Sequence, residues 1–139
     1  MKNSEDGGEG LARSRLLANP WLLPFYWALS KGPASVADVA RMLGVGRRLA
    51  STGLYYMIRV GLARRDEGKY VLSSRASITV KRKGRFFAAI LGGTVIVAKV
   101  RGRSVKAYTV PLGDVKDPPE KGRRGYRARI ARYILDSEV

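Results

Sequence analysis

Residues Ser35–Ser73, SVADVARMLGVGRRLASTGLYYMIRVGLARRDEGKYVLS, carry the reading of the fold. Val36, Val39, Ala40 and Leu43 fall at i, i+3, i+4 and i+7, which is one apolar face of a short helix. Ser35 stands where an N-cap belongs, Asp38 in the first turn favours the helix dipole, and Gly44 ends the segment. A further helix is expected over Arg47–Val60, with Ala50, Leu54, Met57 and Ile58 inward and Gly61 closing it. Leu62–Arg65, the turn Asp66-Glu67-Gly68 and Lys69–Leu72 then read as strand, tight turn and strand.

Upstream, Met1–Gly10 is Gly-rich and acidic and reads as a flexible tail, followed by about two helical turns over Leu11–Asn19. Pro20–Lys31 reads as a helix stopped by Gly32-Pro33, with Trp21, Phe25 and Leu29 bulky enough to anchor a core. Pro24 cannot sit deep in it, so regular helix must either start near that residue or kink there. Downstream, ITVKRK, RFFAAIL, TVIVAKV and SVKAYTV are β-rich runs divided by Gly84, Gly92-Gly93 and Arg101-Gly102-Arg103, although RFFAAIL also suits a short helix. Leu112–Pro119 reads as a linker. Glu120–Asp136 reads as a basic helix whose stripe of Tyr126, Ile130, Tyr133 and Ile134 should be buried, on the β-unit or on a partner. The expected fold class is α+β. The segments are a tail with a short helix (1–18), three helices with a β-hairpin (19–75), and a small antiparallel β-rich unit with a C-terminal basic helix (76–139).

Charge restricts the function classes. The 139 residues hold 27 Lys and Arg against 11 Asp and Glu, a formal charge of +16, with a pI near 10.8. The excess is uneven: eleven bases against six acids in residues 1–73, and sixteen against five in residues 74–139. Such a charge repels itself in a compact state and attracts polyanions, of which nucleic acid is the first to consider. The chain has no Cys and no His, which removes thiolate zinc sites, cysteine nucleophiles and Ser-His-Asp catalysis. Neither an enzyme nor a cofactor is expected. Leu91-Gly92-Gly93-Thr94 lacks the spacing of a phosphate-binding P-loop and is better explained as a hairpin turn. No apolar run reaches membrane-spanning length and the polar start does not resemble a signal peptide, so a cytoplasmic, nucleoid-associated location is expected. Gln is absent and Asn occurs only at Asn3 and Asn19, a scarcity of thermolabile residues that fits a thermophile.

Ser35–Ser73 resembles the winged helix-turn-helix of archaeal and bacterial DNA-binding regulators, and the likeness extends over about residues 19–73. Ala40 matches the small residue where the two helices cross, Gly44 the turn, and Val45 its plug, with Ala50 and Leu54 facing the first helix. GLARRDEGKYVLS matches the wing. The resemblance implies a recognition helix presenting Gly46, Arg47, Arg48, Ser51, Thr52 and Tyr55 to a major groove. It also implies wing contacts from Arg64, Arg65 and Lys69, with Asp66 and Glu67 holding the tip away from phosphate. Lys81, Arg82, Lys83 and Arg85 at one turn, Arg101 and Arg103 at another, and Arg123, Arg124, Arg127, Arg129 and Arg132 on the last helix complete a basic footprint. KGRFFAAI falls short of the aromatic RNA-binding motif of RRM domains, because Arg85 holds the aromatic position. The expected partner is double-stranded DNA, bound by a transcription regulator or chromatin-type factor. RNA or the ribosome is the alternative, and a homodimer is the favoured assembly.

Overall fold

The computed structural model describes residues 4–74 and 78–136; Met1–Asn3 of the expected tail and the expected segment boundary at 75–76 lie outside them. The chain is α+β, with helices around two antiparallel sheets of two and four strands. Helix α1 (Ser4–Ala18) starts earlier than the Leu11 expected, and Ala12 and Leu16 anchor it in the core. A 3₁₀ turn (Pro20–Leu22) leads into α2 (Leu23–Ser30), so Pro24 falls in the first turn, where its missing N–H costs nothing. Six of the eight α2 residues are buried, which makes it a central helix and not a surface one.

Helix α3 (Val36–Leu43) has the cap that its sequence calls for. The Asp38 amide donates to Ser35 Oγ at 3.1 Å, and the Ser35 amide donates back to the Asp38 carboxylate at 3.0 Å. Helix α4 (Arg47–Arg59) buries Ala50, Gly53, Leu54 and Met57; Ile58, expected on the inner side, is exposed. Strands β1 (Ala63–Asp66) and β2 (Lys69–Leu72) pair with Asp66 opposite Lys69, leaving a two-residue turn. Glu67 (φ 52°) and Gly68 (φ 82°) are both left-handed, the combination that matches the twist of a tight hairpin. A bridge from Ala34 to Tyr70 adds a third short segment beside β2.

The second sheet has the order β3 (Val80–Lys83), β4 (Phe86–Leu91), β5 (Thr94–Val100), β6 (Val105–Pro111), a plain meander. RFFAAIL is therefore a strand, covered on both faces, with alternate residues entering two different cores. Phe87, Ala89 and Leu91 join a core with α1, α2, α3 and α4, whereas Ala88 on the other face joins Val95, Val97 and Val110 beneath the C-terminal helices. The sheet is thus a middle layer, with the N-terminal helices on its near face. On the far face lie α5 (Leu112–Lys116) and α6 (Gly122–Leu135).

Two expectations change here. Leu112–Pro119 is not a bare linker: its first part forms α5, which buries Asp114 and Val115. The expected apolar stripe of α6 is buried in half only: Ile134 is buried and Ile130 packs beside it, but the two tyrosines are not covered. Ala128, Ala131, Ile134 and Leu135 pack on the sheet, while Tyr126 and Tyr133 stay 62% and 63% exposed. Small residues let the helix backbone approach the sheet closely; the tyrosines are too large for that space. A Cβ added at Gly125 would meet the Pro119 carbonyl oxygen.

Gly53 sets the equivalent approach in the other half, because a Cβ there would run into the fully buried Phe25 ring. Helix propensity alone favours Ala over Gly by about 1 kcal/mol. Overpacking a rigid aromatic core costs about 1–3 kcal/mol. Gly53→Ala is therefore expected to lower stability in denaturant unfolding, and a stabilised variant would refute the packing argument.

Candidate nucleic-acid interface

Helix α4 contains no Asp or Glu. Its core positions turn Arg47, Arg48, Ser51, Thr52 and Tyr55 outward, so all five expected residues are exposed on one side. Arg48, Thr52 and Tyr55 form an i, i+4, i+7 stripe, with Arg47 and Ser51 beside it. Arg59 extends the row and donates to Tyr55 Oη at 3.2 Å, which orients that phenol. Gly46 supplies no side-chain cap, and two cations in the first turn oppose the helix dipole. The arrangement does nothing for the helix itself and suits an incoming anion.

A groove of about 740 Å³ runs beside this face, lined by Gly46, Arg48, Leu49 and Thr52 on one wall and by Gly102 and Arg103 on the other. The second wall is the tip of the β5–β6 hairpin. It brings an arginine from the C-terminal half against the N-terminal end of α4, a proximity that no local pattern could have revealed. The basic turn itself was visible in the sequence, but its neighbour was not.

The remaining expected residues separate into groups. Arg64, Arg65 and Lys69 are exposed on the β1–β2 hairpin. Arg64 reaches Asp66 at 3.6 Å, offsetting one of the two acids at the tip. Arg65 stacks on Tyr70 at 5.0 Å from the ring centre. Arg82 is committed inward: its guanidinium lies over Trp27 (4.7 Å) and Phe87 (5.0 Å) and donates to the Met42 carbonyl at 2.8 Å. That arginine clamps the sheet to the end of α3. Lys83 is shared between Asp136 (3.4 Å) and the Tyr133 ring (4.4 Å). Lys81 is half-buried on β3, and Arg85 is exposed at the β3–β4 turn.

On α6, Arg123 is exposed, whereas Arg127 sits 4.6 Å over the Tyr108 ring. Burial pushes the Tyr108 phenol up to about 12, and its hydroxyl has no hydrogen-bond partner among the described residues. Arg124 makes a two-pronged contact with Asp114, at 2.8 and 2.9 Å. The contact ties α6 to α5, while the side chain stays largely exposed. All the α6 arginines lie on the far side of the sheet from α4, so the expected footprint is two surfaces and not one. Among the described residues no group of three or more carboxylates is placed to hold a metal ion. No helix among them is long and apolar enough to cross a membrane.

Comparison with protein-family models, with curated proteins and with solved structures returns no match.

The Arg124 hydrogen bond holds the Asp114 carboxyl below its ordinary 3.8. A carboxylate lowered in the folded state stabilises the fold fully above its unfolded value, and that contribution is lost as pH falls through the lowered folded value. Asp114→Asn should therefore melt below the wild type at neutral pH. The gap should narrow once the pH drops beneath 3.8. A gap independent of pH would show that the ion pair is not its source.

Proposed function

We propose that the chain is a double-stranded DNA-binding protein of the winged helix-turn-helix kind, with α3 and α4 as the helix pair and β1–β2 as the wing. Helix α4 enters the major groove, which is wide enough for one helix. The observation that carries the reading is the acid-free outer face of α4, where two arginines, two hydroxyl side chains and a tyrosine stand together in solvent. Arginine at the leading end of such a helix reaches guanine edges or phosphate, and Ser, Thr and Tyr donate to phosphate oxygens. Three further features support it. Gly44 turns the chain between α3 and α4 in a left-handed conformation (φ 68°). The Ala34–Tyr70 bridge seats the hairpin against the helices. Arg64, Arg65 and Lys69 line the hairpin's flanks, where phosphates beside the major groove would run.

Within this reading Arg103 faces the strand that borders the groove occupied by α4, and its contact is with backbone rather than base. The regulatory or architectural character of the protein then depends on whether Arg47 and Arg48 read base edges. Selection from a random duplex pool tests that directly: enrichment of one site marks a regulator, and tight binding without enrichment an architectural factor.

Binding to a duplex should weaken steeply and linearly in log salt, because phosphate neutralisation releases counterions. Arg47→Ala combined with Arg48→Ala should cost about 1–3 kcal/mol for each base edge that is no longer read. Arg103→Ala should reduce the salt slope by about one unit for all sequences alike. A flat salt response, or preferential competition by structured RNA over duplex DNA, would overturn the proposal.

A further inference from the structure

The far face of the four-stranded sheet has a row of residues that no part of the α4 site uses. Lys83 pairs with Phe86 across β3 and β4, Phe86 with Lys99 across β4 and β5, and Lys99 with Lys106 across β5 and β6. Directly paired residues on antiparallel strands share a face, so the side chains form one line across the sheet. Lys99 Nζ lies 5.0 Å over the Phe86 ring, and Lys83 Nζ lies 4.4 Å over Tyr133 of α6, which fixes both ammonium groups on this side. It is the face opposite the one that packs on α2, since Ala98 and Val100 of β5 point into that core and Lys99 alternates with them.

Lys99 and Lys106 are the informative pair. Like charges directly opposite on neighbouring strands are destabilising. Among the described residues no carboxylate pairs with either one. Edge protection accounts for a lysine at 106, on an outer strand, but not for one at 99, on an inner strand. The adjoining helix continues the same chemistry. Helix α6 has no acidic residue, exposes Arg123 and Arg132, and leaves Tyr126 and Tyr133 in solvent with phenol groups able to donate to phosphate.

We propose that this face is a second duplex-DNA site, so that one molecule bridges two duplex segments, one on α4 and one on the far face. The inference rests on the reading of α4 given above. Helix α2 lies between the sheet and α4, packing on both, so the two basic surfaces point away from each other. DNA is stiff over about 50 nm, whereas a compact chain of this length has a radius of gyration of about 14 Å. A single straight duplex seated on α4 does not reach round to Lys99. A second copy of the chain is a poor occupant, because it would set Lys99, Lys106 and the α6 arginines against their own images.

Capture of a labelled duplex by a second duplex fixed to beads, with the full chain as the only bridge, tests this. Wild type should capture. Lys99→Gln with Lys106→Gln should still bind a single free duplex but should capture far less, with the salt slope of capture reduced by about two units. Its melting temperature should stay close to that of wild type, since removal of a like-charge pair offsets loss of the Lys99–Phe86 contact, and this separates loss of the site from loss of the fold. Capture by this variant equal to wild type overturns the far-face site, and wild type that binds a free duplex but captures none overturns bridging; both leave the α4 proposal intact. Conversion of a wild-type dimer into a monomer by the same substitutions assigns the face to a second copy and also overturns it. If wild type binds no duplex at all, both proposals fall together.

Discussion

Val95 and Val97 project from one face of β5, and Ile96, Ala98 and Val100 from the other, so the strand is stable only with a layer on each side. Much of the architecture follows from that requirement. The helical half supplies one cover through α2, whose own surface is apolar nearly all round. The chain then has to return and cover the other face, which α5 and α6 accomplish after β6. The helices and the sheet therefore share a core in which Phe25, Phe87 and Ile96 belong to one apolar cluster. The helix that closes the far face presents Ala128, Ala131, Ile134 and Leu135 to it and leaves its tyrosines in solvent.

A chain of +16 must also house its cations. Some are absorbed by the fold. Arg82 stacks between two rings and donates to a carbonyl, Arg124 grips Asp114, and Lys83 is divided between a carboxylate and a ring. These pairings remove the penalty of a cation near apolar surface and strengthen the joints between layers. Others gain no such pairing or stand at a cost: Arg47 and Arg48 oppose their own helix dipole, and Lys106 faces Lys99 across β5 and β6. Residues that cost stability where they stand are the better candidates for work on a partner, and this criterion separates the two kinds of base more sharply than exposure does.

The helices of Ser35–Ser73 were legible because their signals are local. A capping serine, an aspartate at the third position and a glycine end determine α3 within ten residues. The outward side of α4 followed from the inward one, and all five of its expected residues stand there. The sheet's strands were legible from Gly-punctuated β-branched runs. What failed was long-range or depended on size. The α6 stripe was chosen for bulk, which found Ile130 and Ile134 but not the alanines that lie nearest the sheet, so Ala128 and Ala131 are covered where Tyr126 and Tyr133 were expected. The arginines of Lys81–Arg85 looked equivalent in sequence. Only the packing of β3 against Trp27 and Met42 distinguishes Arg82, bound inward, from Arg85, left outside. The meeting of Arg103 with Arg48 depends on the whole meander.

The Arg82 clamp has a consequence for the cost of association. Because it fastens β3 to the end of α3, the sheet and the helix pair are held as one piece, and the hairpin tip carrying Arg103 keeps a set distance from α4. Two basic elements joined by a loose tether would lose orientational freedom on closing around a polyanion, and that loss would be subtracted from affinity. Here the freedom has already been lost on folding. The width of the opening between Arg48 and Arg103 thus becomes a property of the hydrophobic core, adjustable by residues such as Trp27 and Phe87 that do not line it.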